Sequence, residues 1–114
     1  MIDVRITMNV LPEKQKELVQ TLLSMIGAEE KEAGCLSYAL FRSIEDKNLL
    51  NLLEEWETRE DLERHIRSER FSVLLGTKSL LAKPLELKIR TVSHSEGVEV
   101  VNALRGTGSC RKGF

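Results

Sequence analysis

The chain is short of the residues that build metal centres, nucleotide loops and nucleic-acid surfaces. Its two cysteines, Cys35 and Cys110, lie far apart with no CxxC spacing. A disulfide framework or a zinc site needs more ligands at closer spacing, so neither is expected. Cys35, beside Gly34, reads as a buried structural thiol, and Cys110 as an exposed one in a glycine-rich tail. No glycine loop of the GxGxxG or GxxxxGK type is present, which leaves a nucleotide or flavin held in that way unsupported. Only Tyr38, Phe41, Trp56, Phe71 and Phe114 are aromatic. None forms the paired strand aromatics on which RNA bases stack. A net charge of −1 gives no general attraction to nucleic acid or anionic lipid. No apolar run approaches the roughly 20 residues that span a bilayer. The first residues alternate like a strand rather than forming the charged start and apolar block of a secretion signal, so the cytoplasm is the expected location.

What is present suits one small domain. The 114 residues are 41% apolar and 31% charged, enough for a single core under a soluble surface. Ile2, Val4, Ile6, Met8 and Val10 alternate with Asp3, Arg5, Thr7 and Asn9, the period of a strand with one face on a core. Pro12 suits the first turn of a helix. Leu18, Val19, Leu22, Leu23, Met25 and Ile26 then follow at helical spacing, giving a helix over about 13–32 that Gly34 terminates. Residues 35–43 read as a second strand with Leu36, Tyr38 and Leu40 on one face. Glu45 to Asn48 make a turn. Residues 49–57 form a third strand, with Leu50, Leu52, Glu54 and Trp56 on one face and Leu49, Asn51, Leu53 and Glu55 on the other.

Thr58-Arg59-Glu60-Asp61 resembles a capping box, followed by Leu62, His65 and Ile66 at helical spacing. Ser68 caps a second short turn with Phe71, Leu74 and Leu75, closed by Gly76. Leu85, Leu87 and Ile89 mark a last strand over about 84–92. The order is β-α-β-β-α-β, an α+β ferredoxin-like pattern with a four-stranded antiparallel sheet. Residues 1–93 make the domain. The extension over 94–114 holds a short helix at about 95–105, then a flexible tail.

Two helices cover only one face of such a sheet. Arg5, Thr7, Asn9, Glu86, Lys88 and Arg90 make the other face polar near the first and last strands, whereas the third strand is apolar on both faces. A face of that mixed kind suits a dimer interface enclosing a polar pocket.

Two segments carry a family resemblance. Glu32-Ala33-Gly34-Cys35-Leu36-Ser37-Tyr38 resembles an E-x-G-C-x-x-Y motif. Glu54-Glu55-Trp56, followed by Asp61-Leu62-Glu63-Arg64-His65, resembles an E-x-W strand end and a D/E-x-L-x-x-H helix. Together they are similar to the antibiotic biosynthesis monooxygenase family over about residues 2–92. The resemblance implies a homodimeric α+β barrel, with a pocket between sheet and helices in each protomer. It also implies cofactor-independent oxygenation of a small electron-rich aromatic, or a module of the same fold that binds such a ligand without turning it over. Haem-degrading relatives carry a tryptophan where this chain has His65 and a haem-ligating histidine where it has Leu75. Leucine cannot ligate iron, so the resemblance does not extend to haem chemistry. Oxygenases of polyketide quinones have an asparagine and a tyrosine where Leu52 and Leu62 stand, so it does not fix that substrate class either.

The catalytic candidates are His65, Asn9 and Glu54, and the substrate-binding candidates Trp56, Arg5 and Tyr38. His65, on the flank of an apolar helical face, suits a general base of near-neutral pKa, and equally a core histidine with one hydrogen bond. Trp56 suits the wall of a flat aromatic site or a core anchor. Glu54 either orients His65 or pairs with Arg5 or Lys88. Asn9 matches a position where family members place a functional amide, and turn formation before Pro12 accounts for it equally well. The charged runs Glu29 to Glu32 and Glu54 to Arg70 read mostly as solvated helix faces. A connected pocket holding His65 and Trp56 would favour the enzyme, and the same side chains sealed in the core the binding module.

Overall fold

The computed structural model describes residues 1–106. Strand β1 (Ile2–Asn9) is central, and its even-numbered side chains are buried while the odd ones face away. It pairs antiparallel with β3 (Leu49–Trp56), from Ile2 opposite Trp56 to Asn9 opposite Leu49, and with β4 (Glu86–Thr91) on its other side. β2 (Cys35–Arg42) pairs antiparallel with β3, so the strand order is β2-β3-β1-β4 with β2 and β4 as edges. Alternation alone places Leu50, Leu52, Glu54 and Trp56 with Val4, Ile6 and Met8 on one face. Four strands and two layers make the α+β ferredoxin-like fold that the element order implies.

The helices lie on that face. A 3₁₀ turn at Pro12–Lys14 leads into α1 (Gln15–Glu29), which buries Leu18, Leu22 and Met25. Helix α2 (Arg59–Ile66) starts at Thr58, whose hydroxyl accepts the Asp61 N–H at 3.2 Å. Helix α3 (Glu69–Gly76) starts at Ser68 in the same way, through the Phe71 N–H. Between them they bury Leu62, His65, Phe71 and Leu74. Each cap is worth about 1 kcal/mol, and here it also fixes where a helix turns back across the sheet. A last helix, α4 (Val98–Leu104), follows β4. Among the described residues no helix is long and apolar enough to cross a membrane.

Several expectations need correction. The first helix ends at Glu29, not Glu32, and residues 30–34 form a separate turn into β2. The Thr58 and Ser68 caps are found where expected, and the turn after Ser68 is a full helix followed by a 3₁₀ turn at Thr77–Leu80. Leu36 does not share a buried face with Tyr38. A bulge between Cys35 and Ser37 leaves Leu36 52% exposed and turns Tyr38 inward opposite Glu54. The same irregularity leaves Cys35 half-buried, its Sγ 3.6 Å from the Ser37 carbonyl, rather than sealed in the core. The last strand is shorter than expected, at 86–91. The short C-terminal helix is present, at 98–104. Cys110 and the tail from 107 onward lie outside the described residues.

Candidate functional site

The site grows from the end of β3. Glu54 and Trp56, two residues apart, point to the helix-covered face, and both are 0% exposed. Only Glu57 separates Trp56 from the Thr58 cap, so α2 doubles back at once over the strand that leads into it. Leu62 and His65, three positions apart, then face inward, and His65 lands on Trp56. Their rings stack with centroids 4.7 Å apart and planes at 30°. Phe71 from α3 meets the imidazole edge-on at 5.5 Å, and Tyr38 from β2 does so at 6.2 Å. The imidazole, 1% exposed, is thus held among three aromatic side chains from three elements.

The turn after α1 supplies the partner for this ring. Gly34 adopts φ +83, and its carbonyl accepts the Glu57 N–H at 2.8 Å, which ties the turn to the start of α2. A Cβ at Gly34 would run into the Asp61 side chain, so glycine is required for conformation and for space alike. The turn sets Glu32 against His65, with Oε2 3.0 Å from Nδ1, while the Arg70 guanidinium donates to the other oxygen at 3.1 Å. An ionised carboxylate only accepts, so in this pairing Nδ1 carries the ring proton and Nε2 the lone pair. Nε2 lies 3.8 Å from Glu54 Oε1, which itself accepts the Trp56 indole N–H at 2.8 Å.

A polar line therefore runs inward from Arg70 through Glu32 and His65 to Glu54 and Trp56. Burial pushes the His65 pKa below its ordinary 6.5, because the imidazolium would lose its water. The Glu32 carboxylate opposes that shift, and the Arg70 charge adds to it. Burial thus favours the neutral imidazole, with Nδ1 held by Glu32 and Nε2 on the side of Glu54.

The structure brings together His65, Glu54, Trp56 and Tyr38. It does not bring Arg5 or Asn9 to them. Both are odd-numbered residues of β1 and lie on the opposite face of the sheet, Arg5 between Leu53 and Lys88 and Asn9 beside Leu49. Glu54, opposite Val4, is likewise across the sheet from Arg5 and Lys88. Sequence reasoning missed Glu32, Arg70 and Phe71 as neighbours of His65. Glu32 heads the first of the two resembling segments, and that was the signal available for it. Among the described residues no group of three or more His, Cys, Asp or Glu side chains is placed to hold a metal ion.

A cleft of about 370 Å³ lies outside the cluster along edge strand β2, lined by Glu30, Cys35, Leu36, Ser37, Tyr38 and Ala39. Tyr38 belongs both to this cleft and to the ring contacts of His65.

Comparison with known proteins agrees with the fold. A conserved protein from Methanosarcina mazei is 33% identical over 78% of this chain and 89% of its own, with a TM-score of 0.74. A Pseudomonas aeruginosa protein is 26% identical, covering 82% of this chain and 94% of its own, at 0.73. A Deinococcus radiodurans protein, 18% identical, shares the fold over 86% of this chain and 98% of its own, at 0.80. No curated protein matches the sequence. The sequence profile described as antibiotic biosynthesis monooxygenase matches residues 1–74, a span that contains both segments and the whole buried cluster. The chain belongs to the antibiotic biosynthesis monooxygenase family.

Proposed function

We propose that the protein is a monooxygenase that works without a cofactor on a small electron-rich phenol or quinol, with His65 as the base that ionises it. One observation carries this reading: a buried imidazole is anchored through Nδ1 by Glu32, stacked on Trp56, and directs Nε2 into the same space as Glu54. Ground-state oxygen is a triplet and reacts slowly with a neutral closed-shell ring. A phenolate gives up one electron far more readily than its parent phenol. The resulting radical and superoxide combine at a ring carbon, and loss of water leaves a quinone, so one phenol and one O₂ become one quinone and one H₂O. The protein's part is to take the first proton and to keep the anion dry. His65 takes that proton at Nε2. Glu32, backed by Arg70, stabilises the imidazolium at Nδ1, and Trp56 offers its face to the ring. The reading gives Arg5 and Asn9 no part in this step, since both lie on the opposite face of the sheet.

The second reading is a dimeric module that binds a small ligand without converting it. The full burial of His65 and Trp56 in a single chain favours it, because a ring reaches them only after a side chain moves. An oxygen electrode and a panel of dihydroxyaromatics separate the two. The first reading predicts oxygen uptake by metal-free protein, and a loss of about a hundredfold in His65→Ala, the scale of a general base. Undiminished turnover by the folded variant removes His65 from the mechanism, and no uptake across the panel leaves the binding module.

A further inference from the structure

The buried cluster has a neighbour that the proposed chemistry does not use. The cleft along β2 lies on an edge strand, where among the described residues no further strand covers the sheet. Its volume, about 370 Å³, is within the range of small-molecule sites and ample for a single aromatic ring. The bulge after Cys35 opens this part of the strand and turns Tyr38 inward. The Tyr38 ring then stands between the cleft, which it lines, and the imidazole, which it meets edge-on at 6.2 Å. The other aromatic edge on His65 is Phe71, which belongs to α3 and does not line the cleft.

Charge around the cleft is lopsided. Glu30 is part of the lining. Glu55 accepts the hydroxyl of Ser37, another lining residue, at 2.9 Å. Farther in stand Glu32 and Glu54, and the one guanidinium on this line, Arg70, is already bound to Glu32. A ligand carrying a carboxylate of its own would approach against Glu30 and Glu55 at the rim, whereas an uncharged phenol meets no such barrier.

We propose that the β2 cleft is the outer binding site for the ligand, that it takes an uncharged single-ring phenol and rejects its carboxylated counterpart, and that Tyr38 is the side chain that moves to admit it to His65. The proposal rests on the reading that a phenolic ring reaches His65, but its test involves no turnover, so the two can fail separately. Cys35 lines the cleft and reports on its occupancy. In a Cys110→Ser background, excess resorcinol slows maleimide labelling of Cys35 several-fold, and its carboxylated analogue, resorcylate, does not. Trp56, the only tryptophan, reports on the inner space. Acrylamide quenching of its fluorescence rises several-fold in Tyr38→Ala and stays near the wild-type level in Tyr38→Phe and in Phe71→Ala. Equal protection of Cys35 by both ligands, or by neither, overturns the proposed site. Quenching that rises in Phe71→Ala and not in Tyr38→Ala overturns the proposed route. If Tyr38→Ala does not fold, the labelling result on the wild-type ring decides the site, and Phe71→Ala alone decides the route.

Discussion

At the scale of single residues, opposing influences around His65 set the charge of its ring. Burial among Trp56, Phe71 and Tyr38 opposes charging of the ring, and Glu32 supports it. Burial prevails, so the folded-state pKa lies below 6.5. Between that value and 6.5 the unfolded chain binds more protons than the folded one. The stability this gives is complete above pH 6.5 and is lost as the pH falls toward the folded value. Urea midpoints measured from pH 8 down to pH 5.5 should therefore drop, with a slope no steeper than about 1.4 kcal/mol per pH unit from this one group. In His65→Gln that part of the slope should vanish. A wild-type midpoint that rises on acidification would show that Glu32 outweighs burial. At this scale the sequence was informative where spacing was local. Glu54 and Trp56 share a strand face by alternation, and Leu62 and His65 share a helix face by the three-residue step. Glu32 was not legible as a partner, because its place depends on a turn that closes across 33 residues onto His65.

At the scale of elements, two junctions position the site. Thr58 sets where α2 begins, and with it the angle at which His65 comes down on Trp56. Thr58→Ala should cost about 1 kcal/mol of stability, which in a domain of this size lowers the melting temperature by roughly 4–8 °C. Gly34 sets the turn that carries Glu32. Gly34→Ala combines a left-handed φ with a collision against Asp61, and should cost about 1–3 kcal/mol, more than the helix cap. Thermal melts of the two variants compare them directly, and a smaller loss in Gly34→Ala would show that the turn relaxes without harm. Both junctions were marked in the sequence, one by a capping box and the other by a glycine before a strand. The bulge at Leu36 was not, because strict alternation through Cys35, Leu36 and Ser37 is the simplest reading of that stretch. Only pairing with β3 shows that one residue there has no counterpart. The early end of α1 was hidden for a related reason, since Glu30, Lys31 and Glu32 are good helix formers and the tertiary contact of Glu32 overrides that preference.

At the scale of the whole molecule, the described residues cover one face of the sheet and leave the other open. The uncovered face carries Arg5, Lys88 and Arg90 beside Leu49 and Leu53, and both leucines remain partly accessible in a single chain. A second copy packed against this face would bury them and complete a barrel-like pair. Analytical ultracentrifugation at micromolar concentration should then give about twice the 13.0 kDa chain mass, with an interface of roughly 2,000 Å² or more. Leu53→Lys, which puts a charge at the centre of that face, should shift the population toward monomer and leave the helix-side core intact. A wild-type chain that sediments as a monomer would contradict the barrel. The overall layout was legible in advance because six elements in β-α-β-β-α-β order leave few ways to bury their apolar faces. The mixed polar and apolar pattern of the uncovered face pointed to a dimer interface, which the sedimentation measurement tests.

The proposed chemistry requires a neutral imidazole at His65, held at Nδ1 by Glu32. Nitrogen-detected NMR of histidine-labelled protein reads both features at once. The prediction is that at pH 7 His65 is neutral with its proton on Nδ1, and that it titrates below 6.5. A ring that is charged at pH 7, or neutral with its proton on Nε2, would contradict it.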